Sequence, residues 1–131
     1  MKNLFYILFV SAFIFSCGST QENALSKNKA ETDTIRIAND SLDFELIVFD
    51  SDFESWLATQ PPIEFYELEY LEKKNRHYVM QYNIRAKNPA RYGRLYPQPI
   101  NYESDVDYGL ELNYMLYNYF EYFQEKYNQR L

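Results

Sequence analysis

The chain has 131 residues, enough for one domain and not for two. Apolar residues make up 47% of it, so a core can form, and the aromatic share is unusual, with 14 Tyr and 10 Phe against a single Trp. A formal charge of −6 without a long basic run argues against nucleic acid and against anionic lipid as partners.

Residues 1–17 read as a processing signal rather than as part of the fold. Lys2 supplies the positive end, and residues 4–15 form an apolar run too short for a membrane span of roughly 20 residues. The run ends Ile14-Phe15-Ser16-Cys17, which resembles a bacterial lipobox, with Phe15 bulkier than the strict pattern. Cys17 is the lone cysteine, and its thiolate is the nucleophile that would take the lipid. Palmitate-type chains, at about 0.8 kcal/mol per buried CH₂, would make that attachment effectively permanent. The mature chain would then have no disulfide, and without Lys2 its 12 basic residues face 19 acidic ones, a net charge of −7.

Residues 18–33 are polar and short of large apolar side chains, and read as a flexible tether with a reach of ~20–25 Å. Ser19 follows the lipobox where an aspartate would mark inner-membrane retention, so the outer membrane is the expected site; its periplasmic and surface faces stay open. Residues 34–38 and 43–49 are rich in β-formers and flank Asn39-Asp40-Ser41, which is turn chemistry, so a hairpin is expected. Two strands alone are marginal in water and need a helix against one face. Asp50-Ser51-Asp52 is a cap for a short helix over 53–59, stopped by Pro61-Pro62. Trp56 on it reads as a core or seam anchor, with ligand stacking as the alternative.

Residues 63–87 carry two patterns. Leu68, Leu71, Asn75, Tyr78 and Tyr82 share one helical face, and Glu69–Lys73 and Glu72–Arg76 are favourable i,i+4 pairs. Tyr66, Leu68, Tyr70 and then Tyr78, Met80, Tyr82, Ile84 alternate as a second hairpin would. The helix is preferred, because no Gly or Pro marks a turn and Glu, Lys and Leu dominate the middle. The connection over 88–104 contains Pro89, Gly93, Pro97 and Pro99, which exclude continuous helix, and 100–103 suit a short extended piece.

Residues 107–131 read as the long helix on which the domain is organised. Leu112, Leu116, Tyr119, Phe120, Phe123 and Tyr127 fall on one face, and Leu110, Tyr114 and Tyr117 widen it, as for a helix covered from two directions. Glu111, Asn118, Glu121, Glu125 and Asn128 take the remaining side. Ser104 or Asp105 is the expected cap, and Gly109 in the first turn is expected to permit close packing. The two long helices are expected to pair antiparallel. The fold class is therefore α+β: a β-hairpin with one short and two long Tyr-rich helices, as a single small domain over 34–131.

Three stretches carry a family resemblance. They are Phe53-Glu54-Ser55-Trp56-Leu57; Tyr70 to Asn75 running on to Tyr78-Val79 and Asn83-Ile84-Arg85; and Asp107-Tyr108-Gly109 running through Asn113-Tyr114, Leu116-Tyr117 and Tyr119-Phe120. Together they resemble an uncharacterised, domain-of-unknown-function family of Bacteroidetes-type envelope lipoproteins, with Tyr82 where tryptophan would be expected. The resemblance implies an envelope location and one compact domain. It implies no activity.

No catalytic set is legible. His77 is the lone histidine, Cys17 is consumed by lipidation, and no metal site, nucleophile–base pair or phosphate loop has the needed spacing. No cofactor is implied, and an enzyme is not expected. Arg85, Lys87, Arg91 and Arg94 place four positive charges in ten residues, followed by Glu103, Asp105, Asp107 and Glu111. The plain expectation is that the two runs neutralise each other; the functional one is an anion-binding loop walled by Tyr92 and Tyr96, and a simple solvated loop is the third. Asn75, Asn83 and Asn113 lie among tyrosines and are expected to join a buried polar network, since an unpaired buried amide costs about 1–3 kcal/mol. The sharper alternative is a cleft in which Tyr78, Tyr82, Tyr114 and Tyr117 stack on a sugar while Asn83 and Arg85 hydrogen-bond to it. Function is thus expected to be non-enzymatic: an envelope lipoprotein, membrane-held through Cys17, that docks on a protein partner, with homodimerisation open. The alternative is a binding module for an envelope glycan or small anionic ligand, with Arg85, Arg91 and Arg94 at its rim.

Overall fold

In the computed structural model the described residues are 35–42, 44–48 and 50–131. Cys17, the signal and the tether lie outside them. Two strands, β1 (Ile35–Asn39) and β2 (Phe44–Val48), pair antiparallel with Ile35 opposite Val48 and Asn39 opposite Phe44, around a 3₁₀ turn at Asp40–Leu42. Ile37, Phe44 and Val48 are buried, whereas Glu45 and Ile47 on the other face are exposed. Arg36 ties that outer face by ion pairs to Glu45 at 2.6 Å and to Asp40 at 2.7 Å.

The short helix α1 (Asp52–Leu57) follows. Its first turn is held by Asp50, whose carboxylate accepts the Asp52 N–H at 3.1 Å; Ser51 makes no side-chain cap. After Pro61-Pro62 comes a single 3₁₀ turn, Ile63–Phe65, and then α2 (Leu68–Ala86), so the ambiguous stretch is helix from Leu68 onward. Leu71, Asn75, Tyr78, Val79 and Tyr82 form its buried face. Of the two expected i,i+4 pairs, Glu72–Arg76 is present at 4.0 Å. The connection holds one turn of helix, α3 (Pro89–Tyr92), ended by Gly93 at φ +70°. No strand forms over 100–103. Ile100 is instead held by Asn83, whose side chain donates to the Ile100 carbonyl and accepts from its N–H, both at 2.8 Å.

The last helix, α4 (Gly109–Lys126), lies at the centre. The hairpin and α1 pack against it from one side and α2 from the other. Leu112, Leu116, Phe120 and Phe123 are buried as expected, and fully burying such a side chain is worth about 1.5–3 kcal/mol. Three details of α4 differ from the sequence expectation. The helix starts at Gly109 with Asp107 accepting the Gly109 N–H at 3.0 Å, so Asp107, not Ser104 or Asp105, supplies the cap. A Cβ on Gly109 would meet nothing within 4 Å, so glycine serves its φ of +76° and not close packing. Tyr127 is exposed, while Asn118, assigned to the solvated side, is buried.

The two long helices run parallel, not antiparallel. Going up α2, Asn75 meets Asn113, Tyr78 meets Tyr117 and Phe120, Tyr82 meets Phe120 and Phe123, and Arg85 meets Gln129. A 19-residue helix spans about 28 Å, and the chain from Lys87 to Tyr108 is long enough to return over that distance. Antiparallel neighbours need only a short loop, so the length of the connection carries the direction.

Candidate functional site

One face of α4 presents Tyr117, Asn118, Glu121, Gln124 and Glu125, spaced i, i+1, i+4, i+7 and i+8. This stripe floors a groove of about 450 Å³, and Tyr78 from α2, Trp56 and Gln60 from the α1 segment and Tyr66 beyond the 3₁₀ turn complete its lining. Tyr114 sets the far wall from outside the groove. Its hydroxyl donates to the Pro61 carbonyl at 2.9 Å, which fixes the proline turn so that the Tyr66 ring lies 5.4 Å from Tyr117. At the opposite wall Lys126 clamps α1 to α4, bonding both Asp50 oxygens at 2.6 and 2.8 Å, Asp52 at 3.2 Å and the Tyr122 hydroxyl at 2.9 Å. Phe53, fully buried against Tyr119 and Tyr122, seats the same helix, and Trp56 stacks on Phe53.

The polar groups of the groove are chiefly acceptors. The Tyr78 hydroxyl donates to Glu121 Oε1 at 2.5 Å, and the Trp56 indole N–H donates to Glu125 Oε2 at 2.9 Å. Each carboxylate therefore uses one oxygen and keeps another. Among the described residues no ion pair neutralises either of them. Like charges at i,i+4 cost a few tenths of a kcal/mol in an isolated helix. Asn118 is 1% exposed and donates its amide N–H back to the Tyr114 carbonyl at 2.8 Å, which leaves its oxygen as a further acceptor. Burial, with the Glu121 bond next, pushes the Tyr78 phenol up to about 12. Burial also raises Tyr117, helped by a hydrogen bond with Tyr70 and the Glu121 charge, and raises Tyr66. These phenols are protonated at neutral pH and serve as neutral walls. Lys74 at the rim stands 5.7 Å from the Tyr78 ring centre and 5.9 Å from that of Tyr70.

The residues singled out from sequence separate into two groups. Tyr78 and Tyr117 share the groove, with Tyr114 behind it. Tyr82 is buried among Tyr96, Phe120 and Phe123 and offers no stacking face. Asn83 is committed to Ile100, so these side chains do not make one cleft. Arg85 donates to Tyr96 Oη at 2.8 Å and to the Arg130 carbonyl, with Tyr92 and Tyr96 rings 5.7 and 5.6 Å from its guanidinium. Arg91 and Arg94 are exposed, and Arg91 lies 5.3 Å from the Tyr92 ring centre. Among the described residues no ion pair joins Arg85, Lys87, Arg91 or Arg94 to Glu103, Asp105, Asp107 or Glu111, so the two charge runs do not neutralise each other by direct contact. Arg85 instead pins the chain end.

Glu121, Glu125, Gln124 and Gln60 were not singled out by the sequence reading. The available signal was the repeat of acceptors at 118, 121 and 125 beside Tyr117, which reads equally as a solvated helix face. Among the described residues no cluster of His, Cys, Asp and Glu could hold a metal ion, and no helix is long and apolar enough to cross a membrane. A family of unknown function, DUF6146, matches the chain over residues 5–131. Neither a curated protein nor a solved structure matches it.

Proposed function

The chain belongs to the DUF6146 family, a membership that brings no activity with it, and from that premise we propose a non-enzymatic docking role. In this reading the protein is an envelope lipoprotein of the Bacteroidetes type, held at the outer membrane by a lipid on Cys17. It docks on a protein partner through the groove along α4. The observation that carries the role is the groove itself: four aromatic rings wall it, and its phenols are protonated at neutral pH. Tyr and Trp are favoured where a partner is bound, because each offers apolar area with a polar tip. Large apolar side chains left exposed beside the groove add contact area: Phe65 and Tyr70, whose rings lie 5.2 and 6.1 Å from that of Tyr66. The lipobox-like Ile14-Phe15-Ser16-Cys17 and the polar tether supply the anchoring part.

The test combines anchoring with site. A photo-crosslinking residue is placed at Gln60, inside the groove, or at Arg94, outside it, in cells carrying the C-terminally tagged full chain. The expected result is one stoichiometric envelope-protein adduct from position 60, none from position 94, and loss of the adduct together with membrane association in Cys17→Ala. Adducts from position 94 alone, or recovery of the lipoprotein alone, would remove the docking role. Membrane retention of the Cys17→Ala chain would remove the lipid anchor.

The alternative of an envelope glycan or small anion is altered by the groove. Its ring wall is bordered by Glu121 and Glu125 rather than by Arg85, Arg91 or Arg94, so a neutral glycan is the form that keeps physical support.

A further inference from the structure

We infer that the groove recognises a positively charged side chain, the guanidinium of an arginine or the ammonium of a lysine, presented by the protein partner. The inference rests on the docking role proposed above and gives that site its chemistry. Four observations converge on it. Glu121 and Glu125 are one turn apart on the groove floor, and their charges are not offset by an ion pair among the described residues. The nearest base on their own helix, Lys126, is occupied by Asp50 and Asp52. Each carboxylate is oriented through one oxygen, by Tyr78 and by Trp56, so that a second oxygen is left to accept. Asn118, almost wholly buried, adds a carbonyl acceptor to the same lining. A planar guanidinium carries five N–H donors and an ammonium three, which suits a floor made of acceptors.

The walls agree with the floor. Tyr66, Tyr78, Tyr117 and Trp56 line the same groove, and a cation that reaches an aromatic face is attracted by the ring quadrupole. Lys74 already occupies that relation to Tyr78 and Tyr70 from the rim. Its single positive charge opposes a second cation but is outnumbered by the two carboxylates of the floor. The phenols supply no competing negative charge at neutral pH, because even the ordinary phenol value of 10.0 leaves them protonated there and burial raises them further.

Trp56 is the single tryptophan of the chain and lines the groove, so its fluorescence reports occupancy directly. The membrane-extracted full chain would be titrated with a pentapeptide, acetyl-Gly-Gly-Arg-Gly-Gly-amide, and with the same peptide carrying citrulline, which keeps the shape and loses the charge. The arginine peptide should give a saturable change and bind at least about tenfold more tightly than citrulline, a difference that shrinks with added salt. Glu121→Gln and Glu125→Gln keep an acceptor for Tyr78 and Trp56, and each should weaken the arginine peptide by about threefold or more while leaving the citrulline peptide unchanged. Circular dichroism of both variants should match the parent. Equal response to the two peptides, or undiminished binding by the doubly substituted chain, would overturn the inference. A saturable response to neutral N,N′-diacetylchitobiose with none to arginine would overturn it in favour of a glycan. An adduct at position 60 without arginine–citrulline discrimination would leave docking standing and remove the cation; discrimination without an adduct would do the reverse.

Discussion

Asn75 and Asn113 meet near the N-terminal end of the α2–α4 interface, and both are wholly buried. Asn75 Nδ2 donates to the Asn113 carbonyl and to Asn113 Oδ1, each at 2.9 Å, while Tyr102 donates to that same Oδ1 at 2.8 Å and Asn113 Nδ2 donates to the Gly109 carbonyl. Among the side-chain polar atoms of the described residues, Asn75 Oδ1 alone is buried without a partner. Turning the amide over would aim that oxygen at two acceptors, so the orientation is fixed and the unpaired oxygen stays. The two asparagines therefore predict different costs. Asn113→Ala leaves the Tyr102 hydroxyl and part of the Asn75 amide unpaired and should cost about 2–3 kcal/mol. Asn75→Leu removes the orphan oxygen, leaves Asn113 bonded to Tyr102 and Gly109, and should stay within about 1 kcal/mol of the parent. Urea midpoints at a common slope would measure both, and an equal or reversed order would refute the assignment. A polar network at Asn75 and Asn113 was legible in the sequence, because an amide inside an apolar helical face must find partners. Asn118 was not, because the same helix period placed it beside Glu121 and Glu125, and their common face is floor to a groove rather than open surface.

Among the elements, the connection between α2 and α4 determines how the two helices can align, and Asn83 is its main fastening. By pairing with both the N–H and the C=O of Ile100, one side chain does what a neighbouring strand would do for that residue. Tyr96 adds a second tie, accepting from Arg85 and donating to Gln129 Oε1 at 2.8 Å. Asn83→Leu should cost about 2 kcal/mol by leaving both backbone groups of Ile100 unpaired, and Asn83→Asp, which keeps the acceptor and loses the donor, about half as much. Native-state hydrogen exchange should show the Ile100 amide losing protection in Asn83→Leu but keeping it in Asn83→Asp. Unchanged protection in the leucine variant would show that the connection is held elsewhere. The elements themselves were legible: β-formers around Asn39-Asp40-Ser41, and a 3–4 repeat through Leu71, Asn75, Tyr78 and Tyr82. Their relative direction was not, because periodicity identifies which face of a helix is buried and says nothing of which way its neighbour runs. The length of the connection did contain that information. The one turn of α3 and the Asn83 clasp depend on contacts between residues far apart in the chain, which a local pattern does not encode.

Across the whole molecule the tyrosines that build the core also limit the pH range over which it is stable. Burial raises Tyr66, Tyr78, Tyr82, Tyr102, Tyr114, Tyr117, Tyr119 and Tyr122 above the ordinary phenol value of 10.0, with Tyr78, Tyr102 and Tyr122 pushed up to about 12. A phenol whose folded pKa is raised contributes stability that is complete below the unfolded value and is lost as pH rises through the folded one, because the unfolded chain releases protons that the native chain still holds. Lys126, raised by its bonds to Asp50 and Tyr122, adds loss in the same direction. On the acid side the opposing case is Asp50: burial works to raise it, but hydrogen bonds from Lys126, Tyr122 and the Asp52 N–H hold it below 3.8, so its contribution is lost as pH falls through that lowered value. Among the described residues, eight shifted phenols against one such carboxylate predict an asymmetric profile, shallow in acid and steep between pH 10 and about 12. Stability measured by urea at fixed pH should fall across that alkaline window. Phenolate absorbance from these residues should appear together with loss of helical circular dichroism, in one cooperative step. Tyr102→Phe, which cannot ionise, should flatten the alkaline limb while weakening the Asn113 network at neutral pH. Phenolate absorbance rising smoothly from pH 10 with the helix signal intact would mean that these hydroxyls titrate within the native fold, and the link between aromatic core and alkaline unfolding would be refuted.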